Sequence, residues 1–286
     1  MSLLQRVRLG IVGVLMALGG FLLLAPSQIA SPYFQIHFLD VGQGDAVLLQ
    51  TPDGFEVLID GGASSAVLQQ LASQQSWQDR AIDIVIATHP DTDHVGGLND
   101  VLARYEVDLI IQTEADSDSP AATAFAVAAQ AEGATLQYAR AGQLIRLGAS
   151  TTIEVLAPAS DTSAWGSNAA SVVVRVTYGD TAFMLTGDAP AAVEDYLAET
   201  YAEQLQSDVL KLGHHGSKTS TSEFFLDTVR PTYAVVSASI DNSYGHPDQS
   251  VMQRVFARDI QSFHTGLGGT VSFYSDGSQV WRVGVQ

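Results

Sequence analysis

The sequence predicts an α/β fold in which helices cover packed β-sheets, and three observations support this prediction. Short apolar runs rich in β-branched residues alternate with helical segments along most of the chain. Several of these runs end in His or Asp, as expected where loops at one edge of a sandwich carry a site. The chain has 286 residues, 46% of them hydrophobic, which is enough for one domain with a large core after an N-terminal segment.

The first part of the domain is predicted to be an antiparallel meander followed by alternating helices and strands. Turn signals at Gly42-Gln43-Gly44 and Pro52-Asp53-Gly54 separate the first three strands. Strands are predicted at 35–41, 46–51 and 55–60, and later at 82–87, 108–112 and 134–138. Helices are predicted at 64–75, 96–104 and 119–132.

The second part is predicted to form another sheet with its own helices. Its strands are predicted at 144–147, 152–157, 171–178 and 181–186, with Tyr178-Gly179-Asp180 as the turn between the last two. A helix is expected from Pro190 to about position 205, because the first turn of a helix tolerates proline. Strand, helix, strand and helix follow, and a hairpin at 275–278 closes the chain.

The first 30 residues are predicted to be a signal peptide or a signal anchor, ahead of a folded domain at 33–286. Arg6 and Arg8 precede the stretch 9–25, whose 17 uncharged residues are many for a signal peptide and few for a membrane span. Ala25-Pro26-Ser27 offers small residues for cleavage, whereas the length of the stretch favours retention as an anchor. In both cases the domain is expected to be exported across the cytoplasmic membrane.

Four potential metal ligands lie within six residues, directly after the apolar run 82–87. They are His89, Asp91, Asp93 and His94. Imidazole and carboxylate groups bind Zn²⁺, Mn²⁺ or Fe²⁺, and alternate spacing lets one loop turn several donors toward a common point. The alternative is a solvated polar loop, but this density of donors favours a metal site.

Further candidate ligands lie at the ends of other apolar runs. They are Asp60, Asp188 and the pair His214 and His215. A single aspartate at a strand end is more often a turn residue that hydrogen-bonds its own backbone. Taken together, however, donors at four strand ends favour one metal site built from several loops.

These segments together resemble the metallo-β-lactamase superfamily and, within it, the nuclease-like domain of ComEC-type DNA-uptake proteins. The matching segments span residues 35–280 and are 38–46, 58–62, 89–97, Asn168 with Ser171, 185–188, 210–218 and 244–247. The resemblance implies a four-layer αβ/βα sandwich and a metal-dependent hydrolase, most specifically a phosphodiesterase that cleaves DNA. It also implies a membrane DNA-uptake channel as a partner.

The first metal position departs from the superfamily in its ligands. The broad pattern of the superfamily is His-x-His-x-Asp-His, and Asp91 replaces the second histidine, as in the DNA-uptake branch. No histidine lies between His94 and Asp188, where the superfamily has a further ligand, and Asn168 stands near that place. Because oxygen donors favour harder ions, we expect Mn²⁺ ahead of Zn²⁺, which also suits imidazole.

The resemblance implies two divalent ions that share Asp188 as a bridging ligand. The first ion would be held by His89 and Asp91, and the second by Asp93, His94 and either His214 or His215. Three carboxylates against two divalent ions leave about one positive charge, which suits a phosphodiester and a metal-bound hydroxide nucleophile.

Residues next to these ligands are expected to act on the substrate. The histidine of the pair that does not bind metal is expected to contact a phosphate oxygen or to protonate the leaving oxygen. Residues expected to act in catalysis, besides Asp93 and the pair His214 and His215, are Lys218 and Asn168; those expected to contact substrate are Ser171, Ser217 and His246. A place beside a helix N-terminus is the alternative for His246, which precedes Pro247.

Two aspartates are expected to support the metal ligands without binding the ions themselves. Asp60 fits an acceptor for the N–H of a ligating imidazole, but a plain turn before Gly61-Gly62 fits its position equally well. Asp45 lies in one of the matching segments, and the resemblance places it in the same supporting role.

The strongest argument against a nucleic-acid substrate is the net charge of −18, from 31 acidic and 13 basic residues. Proteins that bind phosphate backbones usually present clustered Lys and Arg. A small phosphodiester, another ester or a lactam is therefore an alternative substrate. A binding module without catalysis is a second alternative, against which the complete ligand set argues. The absence of cysteine excludes disulfides and Cys-type zinc sites.

Overall fold

Helices and strands alternate along residues 31–76 and 80–284, which are the residues that the structure, a computed structural model, describes. The predicted signal peptide or anchor at 1–30 lies outside these described ranges. Within them, no helix combines the length and the apolar character that a membrane crossing requires.

The strands are numbered in chain order within the described ranges. They are β1 (Phe34–Phe38), β2 (Val47–Gln50), β3 (Glu56–Ile59), β4 (Ala81–Ala87), β5 (Glu106–Gln112), β6 (Thr135–Tyr138), β7 (Leu144–Leu147), β8 (Thr151–Ala157), β9 (Val173–Tyr178), β10 (Thr181–Leu185), β11 (Val209–Lys211), β12 (Tyr233–Val236), β13 (Gln261–His264), β14 (Val271–Ser275) and β15 (Val280–Val283).

The helices of the same ranges are numbered in the same way. They are α1 (Ala66–Gln74), α2 (Thr92–Val95), α3 (Leu98–Leu102), α4 (Pro120–Glu132), α5 (Ala191–Tyr201), α6 (Glu223–Val229), α7 (Gln249–Phe256) and α8 (Thr265–Gly268). Short 3₁₀ helices cover Asn168–Ala170, Ala202–Leu205 and Gly213–Gly216.

The strands form two mixed sheets, each with an antiparallel and a parallel half. In the described residues the first sheet has the order β15-β14-β1-β2-β3-β4-β5-β6, and the second has the order β13-β12-β11-β10-β9-β8-β7. The predicted meander is confirmed, because β1, β2 and β3 pair antiparallel. Strands β3 to β6 run parallel, as do β10 to β13.

Three apolar clusters show that the layers stack as the predicted four-layer αβ/βα sandwich. Side chains from both sheets meet in one cluster, which includes Phe34, Phe183 and Phe273. The opposite face of the first sheet packs against α1, α3 and α4, and that of the second sheet packs against α5, α6 and α7. Both faces of the central strands are therefore buried, which explains why they are nearly continuous apolar runs in the sequence.

The helix predicted at 96–104 is the shorter α3, and a further short helix that was not predicted, α2, precedes it within the predicted metal loop. Gly96 and Gly97 separate them, and a Cβ on Gly97 would overlap the backbone oxygen of Gly61. The backbone N–H of Gly97 donates to the carbonyl of Gly62 at 2.9 Å, so this close approach replaces a continuous helix.

Three smaller differences lie in the second half of the chain. The helix predicted from Pro190 begins one residue later and ends at Tyr201, where Ala202, with a φ of +45°, turns the chain into a 3₁₀ helix. Strand β13 and the short helix α8 were not predicted, because β13 is short and only partly buried.

Gly44 lets two loops approach each other closely at the end of the sheets. Its φ is +114°, and a Cβ at this position would overlap the backbone oxygen of Asp93. The next residue, Asp45, donates its backbone N–H to that oxygen at 3.1 Å. Both the backbone angle and the contact therefore require glycine.

We expect Gly44→Ala to lower the free energy of unfolding by about 2–4 kcal/mol, because it combines a strained φ with overlap. Gly54→Ala is the matched control. Its φ is +89°, but a Cβ there would have no atom within 4 Å, so a loss of about 1 kcal/mol is expected. Urea unfolding followed by far-UV circular dichroism measures both losses. Equal losses would show that close approach is not the reason for glycine at position 44.

Candidate metal centre

The predicted ligands meet where parallel strands of both sheets end. In the first sheet, Asp60 follows β3 and His89 follows β4. In the second sheet, Asp188 follows β10, and the pair His214 and His215 follows β11. Loops at the carboxyl ends of parallel strands are the usual place for ligands in α/β proteins.

Three buried histidines turn an unpaired ring nitrogen toward the carboxylate of Asp188. The distances to its oxygens are 3.9 Å from His89 Nε2, 3.4 Å from His94 Nε2 and 3.4 Å from His215 Nε2. These nitrogens and Asp188 Oδ1 are buried and have no hydrogen-bond partner, which is costly unless something binds them. Donors that each lie about 2 Å from one ion are about 3–4 Å apart, so this set fits a metal ion.

The remaining predicted ligands lie at the more open side of this group. Asp91 Oδ2 is 3.7 Å from His89 Nε2, and Asp93 Oδ2 is 3.2 Å from His215 Nε2. The Asp91 and Asp93 side chains are 39% and 31% exposed. His214 Nε2 lies 3.6 Å from Asp188. The structure therefore brings all seven predicted ligands together.

His215 is the member of the histidine pair that lies among the ligands predicted for the second metal ion. Its Nε2 faces Asp93 and Asp188, and its Nδ1 donates to the carbonyl of Ser237 at 2.9 Å. The His214 side chain is 27% exposed and borders the open side of the group. Of the pair, His215 is therefore the one that lies with Asp93 and Asp188.

A left-handed backbone separates the two imidazoles. His214 has a φ of +49° and His215 has a φ of +55°, in the region that favours glycine. Such residues cost of order 1–3 kcal/mol each and persist where surrounding contacts impose them. The sharp turn sends two neighbouring side chains into different parts of one site.

Asp60 fits both interpretations that the sequence left open. Its φ is +60°, so it forms the turn before Gly61. Its Oδ2 also accepts hydrogen bonds from His94 Nδ1 at 2.8 Å and from Thr88 Oγ1 at 2.7 Å. With Nδ1 donating to Asp60, the Nε2 of His94 keeps its lone pair for a metal ion.

Lys211 lies among the carboxylates of the centre and was not among the residues predicted from the sequence. This lysine is buried in β11, and its ammonium group pairs with Asp45 and lies 3.5 Å from Asp188 Oδ1. It also donates to the carbonyl of Gly187 at 2.8 Å. Lysine is almost never fully buried unless it is paired, so a lysine inside an apolar strand was the signal available in the sequence.

Lys211 and two further aspartates change the expected charge of the centre. The prediction of about one surplus positive charge counts three carboxylates. The carboxylates that the structure gathers are those of Asp45, Asp60, Asp91, Asp93 and Asp188. Against two divalent ions and one ammonium group, five carboxylates leave the centre about neutral, so its charge alone does not select a phosphodiester.

Without metal ions, two imidazoles supply positive charge to the centre. Burial disfavours charge on His94 and His215, but Asp188 and other carboxylates outweigh it and raise the pKa of both rings well above the usual value. Burial would also raise the pKa of Asp188, but His215, His94 and Lys211 hold it well below its usual range. Metal ions held by these residues would therefore displace protons, and their binding would weaken as the pH falls.

The remaining predicted residues lie around this group in different surroundings. Ser171 is fully buried, and its Oγ accepts the backbone N–H of Asp188 at 3.2 Å. Ser217 is also buried, and its Oγ lies 3.0 Å from Thr219 Oγ1. Both hydroxyl groups are therefore buried with protein partners, and the contact with substrate that the sequence predicts for these serines stays a prediction.

Three other predicted residues lie at or near the open side. Asn168 Nδ2 is 3.5 Å from His214 Nδ1, which places the amide beside the partly exposed imidazole. The His246 ring centroid is 5.5 Å from that of His214. Lys218 is exposed, and Asp248 is its electrostatic neighbour.

Comparisons with known proteins point to one superfamily. Residues 39–239 match the family model described as "Metallo-beta-lactamase superfamily". "ComE operon protein 3" of Bacillus subtilis is 27% identical over 84% of this chain, and "Recombination protein 2" of Haemophilus influenzae is 30% identical over 90%. "Competence protein ComA" of Neisseria gonorrhoeae is 29% identical over 90%. The chain spans about a third of the length of these relatives, at 33%, 31% and 34% respectively.

Solved structures with low sequence identity share the fold. Igni18, a metallo hydrolase of the archaeon Ignicoccus hospitalis, superposes with a TM-score of 0.57 at 18% identity and covers 84% of this chain and 98% of its own. The metallo-beta-lactamase fold protein YhfI of Bacillus subtilis has a TM-score of 0.52 at 12% identity, with 80% and 95% covered.

We expect Lys211→Met to lower the free energy of unfolding of the metal-free chain by about 3–5 kcal/mol, because it leaves Asp45 and Asp188 buried without their cation. Saturating Mn²⁺ should reduce this loss, since the ions bring positive charge to the same place. The exposed Lys218→Met is the control and should change stability by less than about 0.5 kcal/mol. Urea unfolding in chelator and in Mn²⁺ measures these differences. The same loss under both conditions would refute a charge-balancing role for Lys211.

Proposed function

The chain belongs to the metallo-beta-lactamase superfamily, and on this basis we propose that it is an exported, metal-dependent phosphodiesterase that cleaves DNA. The observation that carries the proposal is the convergence of three unpaired imidazole nitrogens, of His89, His94 and His215, on the Asp188 carboxylate. This buried set of imidazoles and a carboxylate fits divalent ions, and it is open to solvent on the side of Asp91 and Asp93. A binding module without catalysis would not need such a set of metal ligands.

The relatives support DNA as the substrate. Two of them are called a competence protein and a recombination protein, and each is matched over about nine-tenths of this chain. An aspartate at position 91, in place of the usual histidine, is the feature in which the metal motif resembles the DNA-uptake branch. Its side chain lies beside His89, as that resemblance implies. Export is inferred from the basic and apolar pattern of the first 30 residues. The proposed partner is a membrane DNA-uptake channel, as the resemblance to ComEC-type proteins implies.

The residues of the centre divide into holding and positioning roles. Asp188 would bridge two ions, with His89 and Asp91 on one side and Asp93, His94 and His215 on the other. Bound divalent ions would neutralise phosphate charge and make water a better nucleophile at neutral pH. His214, which lies at the open side and beside Asn168, would donate an N–H to a phosphate oxygen.

A small phosphodiester is the second candidate substrate. The surplus of 31 acidic over 13 basic residues favours it, because long polyanions are repelled over roughly a Debye length. The two candidates differ in the substrate and share the chemistry at the ions.

We expect Asp188→Ala in the full chain to lower phosphodiester hydrolysis by more than about 100-fold and to reduce the bound metal, because the bridging carboxylate is lost. Loss of a residue that only hydrogen-bonds a metal ligand already costs about 10- to 100-fold, so loss of a ligand should cost more. Initial rates on single-stranded DNA, plasmid DNA and bis(p-nitrophenyl) phosphate in Mn²⁺, with metal content by mass spectrometry, test this. A chelator should abolish all three activities.

Asp180→Ala is the matched control for that experiment. Asp180 is exposed in the turn before β10, at the other end of the strand that leads to Asp188. This variant should keep both rate and metal content. Normal turnover by Asp188→Ala would remove the two-ion proposal, and hydrolysis of the small ester without any cleavage of DNA would favour the second candidate.

We expect Mn²⁺ to support faster hydrolysis than Zn²⁺, because the carboxylate of Asp91 stands beside His89 where an imidazole is usual in the superfamily. Asp91→His should shift the ratio of Zn²⁺-supported to Mn²⁺-supported rates upward by about tenfold. Asp180→His controls for an added imidazole elsewhere. Rates that are higher with Zn²⁺ in the unsubstituted chain would contradict the expectation.

A further inference from the structure

The loop between β12 and α7 presents an exposed aromatic ring beside the candidate metal centre. Tyr244 is 69% exposed, although most large apolar side chains of the described residues are buried. Ile240, in the same loop, is 56% exposed. An exposed aromatic ring beside a candidate site offers a flat apolar surface on which a planar ligand can stack.

A row of three rings leads from Tyr244 to the metal ligands. The Tyr244 ring stacks on that of His246, with centroids 5.9 Å apart and planes inclined by 17°. The His246 ring meets that of His214 edge to face, with centroids 5.5 Å apart. His214 Nε2 is in turn 3.6 Å from Asp188. The Tyr244 ring is thus aligned with the His246 ring, and its 69% exposure leaves most of it available to a ligand.

The loop holds this ring in place without covering it. Asn242 Oδ1 accepts the backbone N–H groups of Tyr244 at 3.2 Å and His246 at 2.9 Å. The amide of Asn242 also donates to the carbonyl of Ser239 at 2.7 Å and to that of His246 at 2.6 Å. Because the loop is ordered before any ligand arrives, less entropy is lost on binding.

The same loop is attached to the turn that carries the histidine pair. The backbone N–H of Asp248 donates to the carbonyl of Gly216 at 2.9 Å. A Cβ on Gly216 would lie 2.7 Å from Pro247 Cβ, so the two segments are in close contact. The position of Tyr244 is therefore fixed relative to the ligands.

We propose that Tyr244 is a stacking platform for an unpaired nucleobase next to the scissile phosphodiester, so that the substrate is single-stranded nucleic acid. This rests on the proposed function and specifies its substrate class. Stacking on an aromatic ring requires a free base face, which paired bases inside a duplex do not offer. It is worth about 5- to 100-fold in affinity per base and tolerates every base type.

The charge of the chain agrees with recognition through the bases. With 13 basic and 31 acidic residues, the chain has few groups to grip a phosphate backbone. Of the cations at the centre, Lys211 is buried and already paired with Asp45. Apart from the proposed ions and the exposed Lys218, affinity for a strand would therefore come mainly from contacts that do not depend on phosphate charge.

The test compares strands with and without bases. A labelled oligothymidylate, an abasic strand of the same length and the corresponding duplex are titrated with the full chain in chelator and moderate salt, and anisotropy gives each Kd. Tyr244→Ala should weaken oligothymidylate binding by about 5- to 100-fold, and Tyr244→Phe should keep it within about twofold. The abasic strand and the duplex should bind weakly to every variant. Tyr196→Ala, which removes an exposed ring on α5, is the control.

The outcomes separate this inference from the proposed function. Unchanged oligothymidylate binding in Tyr244→Ala, equal losses for the abasic strand, or no binding by the unsubstituted chain would each overturn the platform. If the unsubstituted chain cleaves DNA while Tyr244→Ala binds normally, the platform fails and the phosphodiesterase stands. If binding depends on Tyr244 but no phosphodiester is hydrolysed with any metal, the platform stands and the phosphodiesterase fails.

Discussion

The buried pairing of Lys211 with Asp45 and Asp188 is the interaction on which the rest of the centre depends. Five carboxylates meet where the two sheets end, three of them shut off from water, and desolvation and repulsion would oppose folding if no cation lay among them. Lys211 occupies that place because β11 passes directly behind the ligands. The positive charge that permits the ligand loops to come together is thus part of the chain itself, and the imidazoles of His94 and His215 add to it until metal ions replace their protons.

Much of the fold could be predicted because its strands are short, apolar and bounded by turn residues. The meander from β1 to β3 follows from two glycine-containing turns, and the layers follow from apolar runs with both faces buried. The break between α2 and α3 could not be predicted in the same way. It depends on the approach of Gly97 to Gly61, residues that lie in different loops, and contacts between distant segments leave no periodic signal.

The convergence of the candidate ligands was predictable because motifs at strand ends reveal residue types and spacing. The choice between His214 and His215 was not, because it depends on a left-handed turn that sequence periodicity does not indicate. Lys211 was missed for a related reason: a single lysine in a strand is usually a surface residue, so its apolar neighbours were only a weak signal of the burial that the packed sheet shows. Ser171 and Ser217 lie close to the centre in sequence and in space, yet burial directs their hydroxyl groups to the protein itself.

The left-handed pair at His214 and His215 also sets a limit on how this chain can be made more stable. Glycine would relieve the backbone strain at both positions. The substitutions that best suit the local conformation are therefore those that remove the imidazoles. Selection or engineering for thermal robustness alone would therefore move this turn away from activity. A stabilised variant should be sought among the apolar layers and the outer helices, with the turn after β11 left unchanged.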